Sequence, residues 1–230
     1  MEVKKPNEIS SELHTLFVRT IPESKRPIDR KRNIYQWRPK YRVFTLYIER
    51  FKEFKRGLHG VMNTLRQANK EDMLELRINS GGGSVNEGIQ FYNLMREKFK
   101  NRTCAYLDNH GYSMGALLFC MAERRVVYPY SDLMFHNYAS SVSGKGGEIK
   151  SRLEHRDKLL RQFFKDMIVS KGFLSDAEFE EMIIGRDFWM DVEEMCRRGI
   201  ATHVVYRSEE IRAKKYLKIL KKKKREKRGA

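Results

Sequence analysis

The sequence predicts an α/β fold in which repeated β-α-β units build a mainly parallel sheet. Three observations lead there. Short runs rich in β-branched and aromatic residues alternate with segments whose apolar residues recur at helical spacing. Two of the junctions carry small-residue turns, Ser80-Gly81-Gly82-Gly83-Ser84 and Gly111-Tyr112-Ser113-Met114-Gly115. Both turns follow a predicted strand and open a predicted helix, the places where α/β sites form.

The elements follow in order. Four of the five prolines fall in the first forty residues. Proline fixes φ and removes a donor, so this stretch reads as an arm with at most one short helix, near Glu8 to Phe17. Arg42 to Ile48 alternates as a strand, and Phe51 to Ala68 has helical spacing. Met73 to Ile78 is a second strand and Val85 to Phe99 a second helix. Thr103 to Leu107 is a third strand and Ser113 to Ala122 a third helix. Arg125 to Tyr128 and Leu133 to His136 are short strands. A long helix is predicted from about Glu148 to Lys171, with Ile149, Leu153, Leu160, Phe163, Phe164, Met167 and Ile168 on one side. Ser175-Asp176-Ala177-Glu178 reads as a capping box. Val192 to Arg198 is a helix stopped at Gly199, and Thr202 to Tyr206 is a strand. This alternation argues for helices packed on a parallel sheet with right-handed crossovers.

Charge divides the chain. The formal net charge is +17 over 230 residues. Residues 1–40 carry +5 and residues 207–230 carry +9, leaving +3 on the body. The expected organisation is a basic, proline-containing N-terminal arm over 1–40, a domain over 41–206 and a lysine-rich tail over 207–230. Runs of like charge repel themselves, so the tail is expected as a solvated extension and as a tether for an acidic partner.

No apolar run approaches membrane-spanning length: Ala116 to Ala122 is only seven residues. No signal peptide or membrane contact is expected. Cys104, Cys120 and Cys196 are far apart and read as reduced core thiols, which predicts a cytoplasmic protein. No paired Cys/His spacing indicates a metal.

The chemistry in view is acyl transfer. A serine hydroxyl needs a base, and a histidine base needs an orienting carboxylate. In order the chain supplies Ser113, His136 and Asp187. Backbone N–H groups of Gly83 and Met114 are candidate oxyanion donors. Each residue has a plainer role to compete with. By residue type alone Ser113 is more often a helix N-cap, a glycine triplet more often a turn and His136 more often a hydrogen-bonded buried histidine, and Asp187 has Arg186 as a neighbouring partner. His110 is the rival base.

Residues 73–206 resemble the ClpP peptidases, the proteolytic subunits of Clp protease, of the ClpP/crotonase fold. Four motifs carry the resemblance in order: Ile78-Asn79-Ser80-Gly81-Gly82-Gly83, Ser113-Met114-Gly115-Ala116, Met134-Phe135-His136-Asn137, and Arg186-Asp187-Phe188 with Glu194, Gly199 and Ile200. The resemblance implies a serine endopeptidase with a Ser113/His136/Asp187 triad and an oxyanion hole at Gly83 and Met114. It implies polypeptide substrates and no cofactor, ATP entering only through a partner ATPase. It also makes the long helix a protruding handle that joins two stacked rings of identical subunits.

The departures mark a divergent member. Gly81 stands where the family has proline, Tyr112 where it has a small residue, and Thr202 where it has aspartate. Glu75 and Arg77 replace aromatic residues of the cleft that receives an AAA+ unfoldase, so docking to such a partner is expected to be altered. Two other readings share these residues: a catalytically inactive ring or scaffold-binding subunit, and a crotonase-type acyl-CoA enzyme. The second has no need of a complete serine–histidine–aspartate set.

Overall fold

The computed structural model describes residues 7–11, 14–21, 25–29, 34–37, 41–49 and 58–226. Strands β1 (Asn7–Ser11) and β2 (His14–Ile21) form an antiparallel pair, and β3 (Lys25–Asp29) pairs with β4 (Ile34–Trp37) in a separate hairpin. The helix expected near Glu8 to Phe17 is therefore replaced by two strands. The reason is tertiary. β2 lies antiparallel along β5 (Tyr41–Ile48) over its full length, His14 opposite Ile48 and Ile21 opposite Tyr41. Such pairing satisfies an otherwise open sheet edge and outweighs weak local helix periodicity. Part of the 1–40 arm thus belongs to the main sheet.

The body then follows the predicted alternation. Helix α1 (Leu58–Arg66) is the described part of the helix expected over Phe51 to Ala68; residues 51–57 lie outside the described residues. Next come β6 (Met73–Ser80), α2 (Val85–Phe99), β7 (Thr103–Tyr112), α3 (Met114–Met121), β8 (Arg124–Val127) and β9 (Asp132–Phe135). Helix α4 (Gly146–Phe164) continues into one π-helical turn, Lys165–Val169. Helix α5 (Asp176–Ile183) opens on the predicted capping box: Ser175 and Glu178 satisfy each other's backbone N–H. β10 (Phe188–Met190), α6 (Val192–Arg197), β11 (His203–Tyr206), β12 (Glu209–Arg212) and α7 (Ala213–Glu226) complete the chain.

Among the described residues the main sheet runs β1-β2-β5-β6-β7-β8-β11-β12. The pairs from β5 to β11 are parallel, and the flanking pairs are antiparallel. β7 is twice its predicted length because it serves two partners. Cys104 to Leu107 pair with β8, while His110 to Tyr112 pair with β9. Buried Ser131 bridges the switch: its hydroxyl donates to Leu107 O at 2.6 Å and accepts from Tyr128 N at 2.9 Å.

One face of the sheet is covered by α1, α2 and α3. Phe44, Leu46, Leu74, Leu76, Ala105 and Leu107 are wholly buried there. Alternate residues point to the other face and form a layer of charges and rings. Arg77 pairs with Asp108 at 2.6 Å and lies over the Tyr106 ring at 4.4 Å; Tyr106 donates to Glu210 at 2.8 Å. The tail over 207–230, expected as a solvated extension, is instead β12 plus α7 as far as Glu226; residues 227–230 lie outside the described residues. Its packing residues Ile211, Ala213 and Tyr216 are buried against the body. Among the described residues no helix is long and apolar enough to cross a membrane.

Candidate active site

Ser113 sits between the end of β7 and the first turn of α3, with φ 54° and ψ −123°. A non-glycine residue there is strained, and such strain persists only where the surroundings enforce it. The enforcement is visible. Ser113 N–H donates to Met134 O on β9 at 3.0 Å, and Ser113 O accepts from Leu117 N in α3 at 3.2 Å. Every residue of α3 is buried, so the turn cannot relax by moving the helix. The Ser113 side chain makes no capping bond, which sets aside the plain N-cap role.

The glycine turn is pressed against this serine. Gly82 has φ 103°, and a β-carbon on it would lie 2.7 Å from Ser113 Cβ, 2.9 Å from Tyr112 O and 3.2 Å from Met114 N. Only glycine fits there. Fully buried Ser80 braces the turn: its Oγ accepts from Gly82 N–H at 3.1 Å. Its carbonyl oxygen lies 2.8 Å from where a β-carbon on Gly115 would be. The N–H of Met114 opens α3 and has no acceptor within the helix. Its nitrogen lies beside the glycine turn, 3.2 Å from where a β-carbon on Gly82 would be, at the positive end of the helix dipole.

His136 follows directly on β9. It lines a narrow pocket with Ser113, Met114, Val85, Leu117 and Phe135, whose free interior is about 10 Å³. β9 and β10 are antiparallel and their ladder ends with Phe135 opposite Phe188, so His136 leaves one strand at the point where Asp187 leads into the other. The three residues thus occupy adjoining strand ends. Side-chain contact is another matter: among the described residues no hydrogen bond links Ser113, His136 and Asp187. Asp187 is exposed and lies outside the pocket lining. It is not the partner of Arg186, which pairs with Glu181 and lies over the Phe188 ring at 5.0 Å. His110 stays out of the pocket; its ring packs on Tyr112 at 4.7 Å.

Sequence reasoning missed a bracket beside the nucleophile. The Tyr112 hydroxyl donates to Asp132 at 2.6 Å, and its ring meets Trp189 edge-on at 5.1 Å. The Asp132 bond, with some burial, pushes the phenol up to about 12, so it stays protonated at physiological pH. Tyr112 stood out in the sequence only as an unusual neighbour of Ser113. No local signal marks Asp132 or Trp189, because their partner is distant in sequence. The role of Ser80 is likewise invisible without coordinates.

The three cysteines are free and buried. Burial pushes Cys120 and Cys196 up to about 12 and Cys104 upward, so none is a ready thiolate nucleophile. Glu75 and Arg77 are engaged on the uncovered sheet face: Thr45 donates to Glu75 at 3.3 Å, and Arg77 holds Asp108 and the Tyr128 hydroxyl.

A strained serine at a strand–turn–helix junction, backed by a glycine turn on a repeated β-α-β sheet, defines a class of α/β hydrolytic proteins. Within it, the chain belongs to the Clp protease family, whose pattern matches residues 28–208. That span contains the glycine turn, Ser113, His136 and Asp187. The match places the chain among proteins of the ClpP peptidase kind.

Proposed function

We propose that the protein is a serine endopeptidase working through Ser113, His136 and Asp187. The carrying observation is Ser113 itself: strained, uncapped, and sharing a pocket with His136. In this reading Ser113 Oγ attacks the scissile carbonyl while His136 accepts its proton. The developing oxyanion takes N–H donation from Gly83 and Met114, a contribution of about 3–4 kcal/mol per donor to the barrier. His136 then protonates the leaving amine, and an acyl-enzyme remains on Ser113. Water, deprotonated by His136, releases the acid product. Asp187 fixes the imidazole tautomer and stabilises the imidazolium. The contacts between the three side chains tighten when substrate fills the pocket. No cofactor enters these steps.

The enzyme acts as a ring-shaped homo-oligomer, with α4 as the joining element and an unfoldase as feeder. Support for the first part is the N-terminal half of α4. Leu153 in that half is 39% exposed, and Leu159 further along the helix is 56% exposed. A second reading, a catalytically silent ring subunit, rests on the missing hydrogen bonds among the three residues. A fluorophosphonate probe with peptide mapping separates the two. Labelling confined to Ser113, together with hydrolysis of a fluorogenic peptide, supports the peptidase. No labelling in the assembled protein supports the silent subunit.

A further inference from the structure

Helix α7 is unexpected in a run so rich in lysine. Lys214 and Lys218, Lys218 and Lys222, and Lys221 and Arg225 are four apart, a spacing at which like charges destabilise a helix. Packing on the body offsets that repulsion. Ala213 and Tyr216 are buried, and Leu217, Ile219 and Leu220 pack partly against the core. At the flanks of this inner face Lys224 is clamped to Glu193 at 2.7 Å, and Lys223 lies over the Tyr206 ring at 5.2 Å.

The outer face is different. With 100° per residue, Lys214, Lys215, Lys218, Lys221, Lys222 and Arg225 fall within roughly 60° of one direction, away from Tyr216. All six are exposed. Among the described residues only Lys222 has an acidic neighbour, Glu226 at 3.9 Å, and that pair is solvent-exposed. The row is about 17 Å long. Duplex nucleic acid presents one negative charge per about 1.7 Å of axis, so such a row runs past roughly ten phosphates.

We propose that the outer face of α7 is a docking surface for the phosphate backbone of duplex nucleic acid, read without regard to sequence. Two features decide against other polyanions. The apolar side of α7 is turned inward, so the helix has no face to insert into an anionic membrane. The outer face is five lysines and one arginine with no aromatic residue, whereas protein interfaces are depleted of lysine and anchored by aromatic side chains. The same lack of aromatics removes base stacking. The site lies outside the pocket of Ser113 and does not depend on the peptidase reading.

The test is fluorescence anisotropy of a labelled 20-base-pair DNA duplex with the full-length protein across a salt series. Six phosphate contacts give a log K against log salt slope of about −5. Replacing Lys214, Lys218 and Lys221 together by glutamine should reduce the slope by about 2 to 3 and weaken binding about tenfold or more at low salt. The same three positions changed to arginine should keep both, which separates charge from folding damage. Peptide hydrolysis should be the same in all three proteins. An unchanged slope in the glutamine variant overturns the proposal. So does binding of polyglutamate or of anionic vesicles as tight as that of the duplex at equal salt.

Discussion

A β-carbon on Gly82 would stand 2.7 Å from the β-carbon of Ser113, closer than two such atoms can approach. The glycine turn and the nucleophile turn are therefore one packed unit, although thirty residues separate them. Gly82→Ala must shift the Ser113 backbone or unseat the turn. An ångström of misplacement costs about 10²-fold in rate. We expect kcat/KM for a short peptide to fall by about that much, with far-UV circular dichroism unchanged. Near wild-type activity in Gly82→Ala would show that the contact does not set the nucleophile.

Ser113→Ala and His136→Ala should each lower kcat by a factor on the order of 10⁴ or more. His110→Ala should stay within about threefold of wild type, since His110 lies outside the pocket and packs on Tyr112. An inactive His110→Ala beside an active His136→Ala would reverse the assignment of the base.

Tyr112→Phe removes the bond to Asp132 and leaves the ring against Trp189. Loss of one such bond costs about 1–3 kcal/mol when the acceptor stays part-buried. Tyr112 adjoins Ser113, and Trp189 lies two residues beyond Asp187, so the loss should loosen strand β10 against the nucleophile. Steady-state kinetics should show kcat falling with KM little changed. A change confined to KM would make Tyr112 a substrate-binding residue instead.

Leu153 and Leu159 expose apolar surface on α4, the element read as the joint between rings. Leu153→Asp with Leu159→Asp should yield smaller species by light scattering, at unchanged helix content. Identical particle mass in the double variant would remove α4 from the assembly interface.

Bonds from Arg198 hold the Glu178 carboxyl down at about 2, with Ser175 assisting. A group whose folded pKa lies below its unfolded value stabilises the fold above the unfolded value. That contribution is lost as pH falls toward the folded one. Glu178 should therefore add about 1–2 kcal/mol near neutrality, allowing for solvent screening, lost between roughly pH 5 and pH 2. Denaturant titrations of wild type and Glu178→Gln across that range should converge as pH falls. A constant gap would assign the stabilisation to packing.

Much of the central architecture was legible because local signals and tertiary packing agree there. The spacing of Val85 to Phe99 predicts a helix, and that span is α2 to the residue. The capping box at Ser175 is local chemistry and was visible for that reason. Both small-residue turns were legible because glycine and serine clusters have few alternatives between a strand and a helix.

The rest needed partners distant in sequence. Asp108-Asn109-His110-Gly111 looks like a loop, and pairing with β9 draws it out as strand. Strands β1 and β2 and helix α7 exist because β5 offers an edge and the body offers a surface for Tyr216. The sequence by itself determined the β-α-β order, the family motifs and the list of candidate residues, since these follow from spacing and residue type. Only the tertiary structure decided that Gly82 touches Ser113, that His136 rather than His110 reaches the pocket, and that Tyr112 is held by Asp132. Those are contacts across strands, and strand register is set by burial and pairing over the whole sheet rather than by any local run of residues.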